Sequence, residues 1–272
     1  MLRTSKWRFG ICVLGWMLCA FSGTTVAQLL TYDNFNSRQI DPAKWSGTFG
    51  DSDQREIVRE VVGEGRSRRL HLAQRVYSAT TDDSGGSGDV FGLEFAHPNA
   101  VTEVSLSVRV QEAEVLGCTT NPSLSVIDAE FRGNFFNVES SPTSPIGDVV
   151  AVIAVSRYPT DTTNALTVAG FYTRCDDEFC GSQTPLDYRV LGSVQPGTTN
   201  TLHLKWDQPG HRFVFGLNDQ PEVASTYTVS DTTPAVFSYK AIGFARVIPH
   251  CTSTPRPFAE MDAFFDNVRI NP

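Results

Sequence analysis

The sequence predicts an all-β protein, an antiparallel two-sheet sandwich in a single domain. Three observations carry that expectation. Apolar and polar residues alternate with period two along most of the chain. Clusters of Gly, Pro, Asn, Asp and Ser interrupt the alternation at fairly regular spacing. No stretch shows a sustained helical period with caps, which excludes a βαβ plan.

The elements follow in chain order. Residues 1–27 carry Arg3, Lys6 and Arg8, an apolar run from about Phe9 to Ser22, and Thr25-Val26-Ala27. These features predict a secretory signal whose apolar core is short for a membrane span, and leave 28–272 as the folded domain. Strands are expected over 57–62, 69–76, 90–95, 103–110, 124–136, 148–156, 165–174, 186–191, 202–206, 212–217, 222–229, 239–248 and 259–270. Val104, Leu106, Val108 and Val110 alternate with Glu103, Ser105, Ser107 and Arg109, so that strand has one wet face. "DVVAVIAVS" (148–156) is apolar on both parities and reads as a central strand. Turn clusters lie at 83–89 (DSGGSGD), 96–99, 140–148, 159–164, 195–200 and 253–257.

Composition narrows the function classes. The net charge of −8 falls to −11 once the three basic residues of 1–27 are removed, since no acid leaves with them. Such a chain is repelled by nucleic acid and by anionic membrane surfaces, so neither is expected as a partner after signal cleavage. Cys12 and Cys19 leave with the signal. The remaining Cys118, Cys175, Cys180 and Cys251 form an even set that reads as two disulfides with three open connectivities. Cys175 and Cys180 bracket "DDEF", a loop that a local bridge could close, which leaves Cys118 with Cys251. Nothing in the chain specifies an oligomeric state.

Three segments carry a family resemblance. "YDNFNSRQIDPAKWS" (32–46) resembles the opening strand of concanavalin A-like lectin/glucanase sandwiches, and "FFDNVRI" (264–270) resembles their closing strand. "LHLKWD…HRFVFGLND" (202–219) is similar to the hairpin of laminin-G-like members. The resemblance spans 32–270 and implies a jelly-roll sandwich in which the first and last strands lie side by side, with Phe35, Trp45, Trp206, Phe213, Phe215 and Phe265 in or near the core. It also implies that structural calcium is common in such proteins. Asp33, Asn34 and Asp266 are the residues that could hold it, and no other cofactor is expected.

The glucanase branch carries catalytic acids as E-x-D-x-E or E-x-D-x-x-E on one strand. The text "EMDAFFD" (260–266) lacks the final Glu, so the catalytic assignment is not carried over. Glu260, Asp262 and Asp266 share parity with Phe264, Val268 and Ile270, a conflict that a β-bulge near Phe264-Phe265 would resolve. A second acidic row lies in "VIDAEFRG" (126–133), where Asp128, Glu130 and Arg132 share one face and Ile127, Ala129 and Phe131 the other. Carboxylates that accept and an Arg that donates bidentate hydrogen bonds would suit sugar hydroxyls on an open sheet face. The plainer reading is a neutralised surface row. If an acid pair acts catalytically, Glu130 and Glu260 are the candidates.

The five histidines, His71, His97, His203, His211 and His250, show no paired spacing, and no G-x-S-x-G turn is present, so neither a transition-metal centre nor triad hydrolysis is expected. Tyr158, Tyr172 and Tyr188 are the tyrosines that could stack on sugars. The expectation is therefore a secreted, non-catalytic carbohydrate-binding or extracellular recognition protein. It would use Asp128, Glu130, Arg132 and the loops at 140–148 and 176–179 to hold a glycan or cell-surface polymer. A polysaccharide-degrading enzyme is the alternative, and a structural envelope or matrix protein the third reading.

Overall fold

The structure is a computed structural model that describes residues 28–48, 55–63, 67–79, 82–140, 142–162, 164–252 and 254–272. The expected signal at 1–27 lies outside the described residues. In chain order the strands are β1 (Leu30–Asp33), β2 (Trp45–Thr48), β3 (Arg55–Val62), β4 (Arg69–Tyr77), β5 (Gly86–Phe95), β6 (Glu103–Leu116), β7 (Val126–Asn137) and β8 (Asp148–Arg157). They continue with β9 (Leu166–Cys175), β10 (Gln183–Val194), β11 (Asn200–Asp207), β12 (Arg212–Leu217), β13 (Val223–Thr226), β14 (Thr233–Pro234), β15 (Lys240–Pro249) and β16 (Phe258–Ile270).

Two antiparallel sheets form. Sheet A runs β13-β12-β11-β6-β16-β4-β3, with β1 also on β16; sheet B runs β10-β9-β8-β7-β15-β5-β2, with β14 on β7. The only helical turn among the described residues is a single 3₁₀ turn at Pro98–Ala100. The molecule is thus an all-β jelly-roll sandwich. Its opening and closing strands pair, Leu30 opposite Ile270 and Thr31 opposite Arg269, so each covers an edge the other would leave open.

The core is one continuous cluster between the sheets. Leu70, Leu72, Met261, Ala263 and Phe265 project from sheet A, and Phe91, Leu93, Ile127, Phe131, Ile153 and Phe244 from sheet B. Burying this much apolar side chain stabilises the fold at roughly 25 cal/mol per Å² removed from water. Phe35 stacks on Trp45 at 5.8 Å, and Trp45 Nε1 donates to Asp33 Oδ2 at 2.7 Å, which locks the first strands over the core. The β11–β12 hairpin turns at Gln208–His211, Leu204 and Phe215 facing inward, while Trp206, half-buried, donates from Nε1 to Tyr227 Oη at 2.7 Å. Both disulfides form, Cys118 with Cys251 and Cys175 with Cys180.

Some expectations shift. The parity conflict in β16 is resolved two or three residues later than the sequence suggested: the register slips between Asp266 and Arg269, with Asn267 at φ 50°, and this turns Val268 inward. Phe264 therefore stays on the outer face, stacked on His71 at 4.8 Å. The expected turn at 83–89 is strand from Gly86 onward, paired with β15 up to Pro249. Here glycine serves close packing rather than a turn, since a Cβ on Gly86 would press on the Ile248 carbonyl oxygen at 2.9 Å. The expected strand at 222–229 shortens to β13 because Thr226 pairs with Arg212, the first residue of β12, which leaves 227–229 without a ladder partner on that strand.

Candidate functional site

The outer face of sheet B gathers most of the residues that sequence reasoning singled out. Strand register sets them in three rows that cross the strands. One row reads Glu94, Ala241, Arg132, Val152, Phe171, Tyr188; the next reads Gly92, Gly243, Glu130, Ala154, Ala169, Val190. The third reads Val90, Ala245, Asp128, Ser156, Thr167, Ser193. Alternation along each strand puts the core residues Ile127, Ala129 and Phe131 on the other side of β7, as period two requires.

The middle row is almost bare of side chains apart from Glu130. Gly92 and Gly243 are required because their backbones meet: a Cβ on Gly243 would run into the Phe91 carbonyl oxygen, and one on Gly92 into that of Ile242. The consequence is a shallow dip in the face with room for about one water molecule, lined by Val90, Gly92, Glu130, Arg132, Tyr239 and Gly243 among others.

The acids here are not on an open face, contrary to the surface-row reading. Glu130 is 2% exposed and Asp128 8%. Arg132 pairs with Glu130, Nε to Oε1 at 2.5 Å. Asp128 Oδ1 and Glu130 Oε2 have no hydrogen-bond partner among the described residues. Burial pushes Glu130 up to about 7, against the pull of Arg132 and with a further push from Asp128. Burial likewise pushes Asp128 up to about 6, opposed by a hydrogen bond to Ser156 and by Arg132. Near neutral pH this buried pair is poised to hold a proton.

Beside the acids lies an aromatic and apolar half. Phe171 and Tyr188 stack at 5.8 Å, and Tyr188 remains 46% exposed. Tyr158 Oη comes within 3.4 Å of Tyr188 Oη, and burial together with its neighbours Tyr188 and Asp128 raises its pKa. Val150, Val152 and Ala154 form a second small apolar cluster with Phe171, Cys175 and Cys180, so the Cys175–Cys180 bridge packs against this face. That accounts for the both-parity burial of β8. The third tyrosine, Tyr172, faces the core instead, packed against Phe213 at 5.1 Å.

The remaining candidates belong to sheet A, where Asp33 and Asp266 lie on the paired terminal strands and Glu260 stands further along β16. Glu260 lies on sheet A, opposite Arg75, with Nε to Oε2 at 2.7 Å. Glu130 and Glu260 point outward from opposite sheets, so the expected acid pair cannot face one substrate. Asp33 accepts from the Phe35 N–H and from Trp45 Nε1, and Asn34 Oδ1 accepts from the Asn36 N–H. Asp266 is half-buried, its carboxyl raised by desolvation and by Asp33, and accepts from the Asn267 N–H. These three side chains thus each have a local structural partner. Among the described residues the one grouping of three metal-ligand types is Asp83, Cys118 and Cys251, and its two sulfurs are bonded to each other. The loop at 176–179 is closed by Asp177, which accepts from the Phe179, Gly181 and Ser182 N–H groups and leaves Phe179 90% exposed.

Sequence reasoning missed Tyr239, Gly92 and Gly243, which complete the recess. The pairing of two strand glycines was the available signal, because glycine inside a strand marks a close backbone approach. It also compared the E-x-D-x-E spacing with residues 260–266 only. Residues 126–130 read Val-Ile-Asp-Ala-Glu, with the spacing kept at Asp128 and Glu130 and the buried Val126 where a first acid would stand.

The fold makes this a jelly-roll sandwich protein with one outer sheet face both charged and aromatic. No protein-family model matches the chain, and no curated protein sequence matches it. Among solved structures it is similar to LamAcat from Zobellia galactanivorans, at 11% identity and a TM-score of 0.42, covering 88% of this chain and 96% of that one. It is also similar to the β-glucanase of Bacillus licheniformis (10%, TM-score 0.39, 91% and 99% covered) and to winged bean acidic lectin complexed with methyl-α-D-galactose (9%, TM-score 0.35, 90% and 99% covered). Likeness at these scores carries no argument about activity.

Proposed function

We propose that the protein is a secreted, non-catalytic carbohydrate-binding protein that holds a glycan on the outer face of sheet B. One observation carries this reading: an exposed aromatic platform, Tyr188 on Phe171, shares a sheet face with a buried acid pair, Asp128 and Glu130, each of which keeps one oxygen without a partner among the described residues. A sugar ring offers an apolar C–H face that stacks on such a platform, and a rim of hydroxyls that hydrogen-bonds to polar groups beside it. The shallowness of the recess suits binding of a chain laid along the face rather than enclosure of a small molecule. The expected signal at 1–27 and the two disulfides support export. No cofactor enters the reading.

A second reading, glycoside hydrolysis, is favoured by the Glu130 carboxyl at about 7, the range of a general acid. A retaining or inverting mechanism needs a second carboxylate across the substrate, and among the described residues the acid beside Glu130 is Asp128 on the same strand, itself buried. A glycan array followed by calorimetric titration tests the first reading, and a reducing-sugar assay on the bound glycans separates the two. Binding without release of sugar ends supports the proposal; release of ends, or silence on every glycan, overturns it.

A further inference from the structure

The end of the sandwich opposite the 140–148 and 176–179 loops brings together three residues from two segments. β15 lies antiparallel to β5 with Ile248 opposite Ser87 and Pro249 opposite Gly86. The ladder extends one step further, where the His250 N–H donates to the Gly85 carbonyl at 3.1 Å. Asn121 Nδ2 donates to both the Gly85 and the His250 carbonyls at 2.8 Å, and the Cys118–Cys251 bridge anchors the neighbouring residue. These ties fix the His250 backbone, and its Nε2 lies 2.8 Å from Ser87 Oγ. On its other side, Nδ1 lies 3.6 Å from Asp82 Oδ1. Asp82 is itself held by the Ser84 N–H at 3.0 Å, and that hydrogen bond, ahead of the His250 charge, keeps its carboxyl below the usual range.

We infer that Ser87, His250 and Asp82 form an esterolytic site for small acyl esters, an activity separate from glycan binding. Asp82 beside Nδ1 favours the tautomer with its proton there, which leaves Nε2 free to accept the Ser87 hydroxyl proton. Ser87 is exposed and flanked by Gly86 and Gly88, so neither chain neighbour carries a side chain that would obstruct an approaching carbonyl. The G-x-S-x-G pattern does not mark this serine because it stands on a strand rather than on a strand-to-helix turn. Its open surroundings suit a short acyl group, such as an acetyl ester, rather than a long chain.

The chemistry balances without an added reagent. Ser87 Oγ bonds to the ester carbonyl carbon while its proton passes to His250 Nε2. Collapse breaks the bond to the alkoxy oxygen, which leaves as the alcohol carrying that proton. Water then attacks the acyl-serine, gives a proton to Nε2, and the breaking acyl–Oγ bond takes it back, releasing the carboxylic acid. Asp82 is a positioning residue in this scheme.

The test treats the unaltered protein with a fluorophosphonate probe and maps the adduct by mass spectrometry, alongside turnover of p-nitrophenyl acetate. The expected result is an adduct on Ser87, with turnover falling at least about tenfold in Ser87→Ala and in His250→Gln. Asp82→Asn should lower kcat with KM unchanged, and Asp82→Glu should restore part of it. An adduct absent from Ser87, or turnover unchanged in Ser87→Ala, overturns the proposal; the labelling arm does not depend on any variant folding.

Discussion

β7 and β16 both present acids at alternate positions on an outward face, Asp128 and Glu130 on one, Glu260 and Asp262 on the other, yet the two rows have opposite physical character. On β16 each acid finds a base across the strand boundary: Glu260 pairs with Arg75, and Asp262 Oδ2 lies 3.1 Å from His71 Nε2. Those side chains remain partly in water. On β7 the cross-strand neighbours are Ala154, Ser156, Gly243 and Ala245, none of them basic, and the cation that pairs with Glu130 is Arg132 on the same strand. Desolvation then dominates, and both carboxyls rise. Neighbours across the sheet, rather than the strand's own spacing, therefore decide whether an acidic row is a solvated surface or a poised site.

Removing the β7 cation puts this contrast under the heaviest load. Arg132→Ala leaves a buried acid pair without compensation, and at pH 8 it should cost about 3–5 kcal/mol in urea unfolding. The cost should shrink at pH 5, where the acids protonate. The matching change on β16, Arg75→Ala, should leave the unfolding midpoint nearly unmoved at both pH values. Equal losses in the two variants would erase the distinction.

Next in size is the pH dependence itself. Because the folded-state values of Asp128 and Glu130 lie above those of the unfolded chain, the folded state binds more protons between about pH 4 and 7. Stability from these groups is therefore present at low pH and is lost as pH rises through about 7. For Glu130 alone the loss is on the order of 3 kcal/mol. Glu130→Gln should flatten this limb in denaturation curves taken from pH 4 to 8, whereas Glu260→Gln should not. Smaller still is the aromatic term. Tyr188→Ala should leave stability almost unchanged, given its exposure, and weaken glycan binding about tenfold by titration. A Tyr188→Ala protein that binds as tightly as the unaltered chain would remove the platform from the site.

Much of the fold was legible because its determinants are local. Val104 to Val110 alternates in the sequence and buries every second residue in β6, and the Pro209-Gly210 turn sets the β11–β12 hairpin. The same locality identified Asp128, Glu130 and Arg132 as sharing a face. The glycine-rich 83–89 misled because glycine signals both turns and close strand approach, and only the presence of β15 beside Gly86 selects the second. The bulge in β16 fell at Asn267 because the pairing with Ser107 and Ser105, not the acid parity, sets where the register slips.

Residue order alone was enough for the all-β class, the approximate strand positions, the even set of cysteines and the side of β7 on which the acids stand. All of these follow from period-two patterning and residue chemistry over a few neighbouring positions. It took the assembled sandwich to show that Glu130 lies buried beside two bare glycines, that Glu260 belongs to the opposite sheet, and that Ser87 meets His250. Those facts depend on contacts between segments more than a hundred residues apart, whose desolvation and pairing are fixed only when the sheets come together.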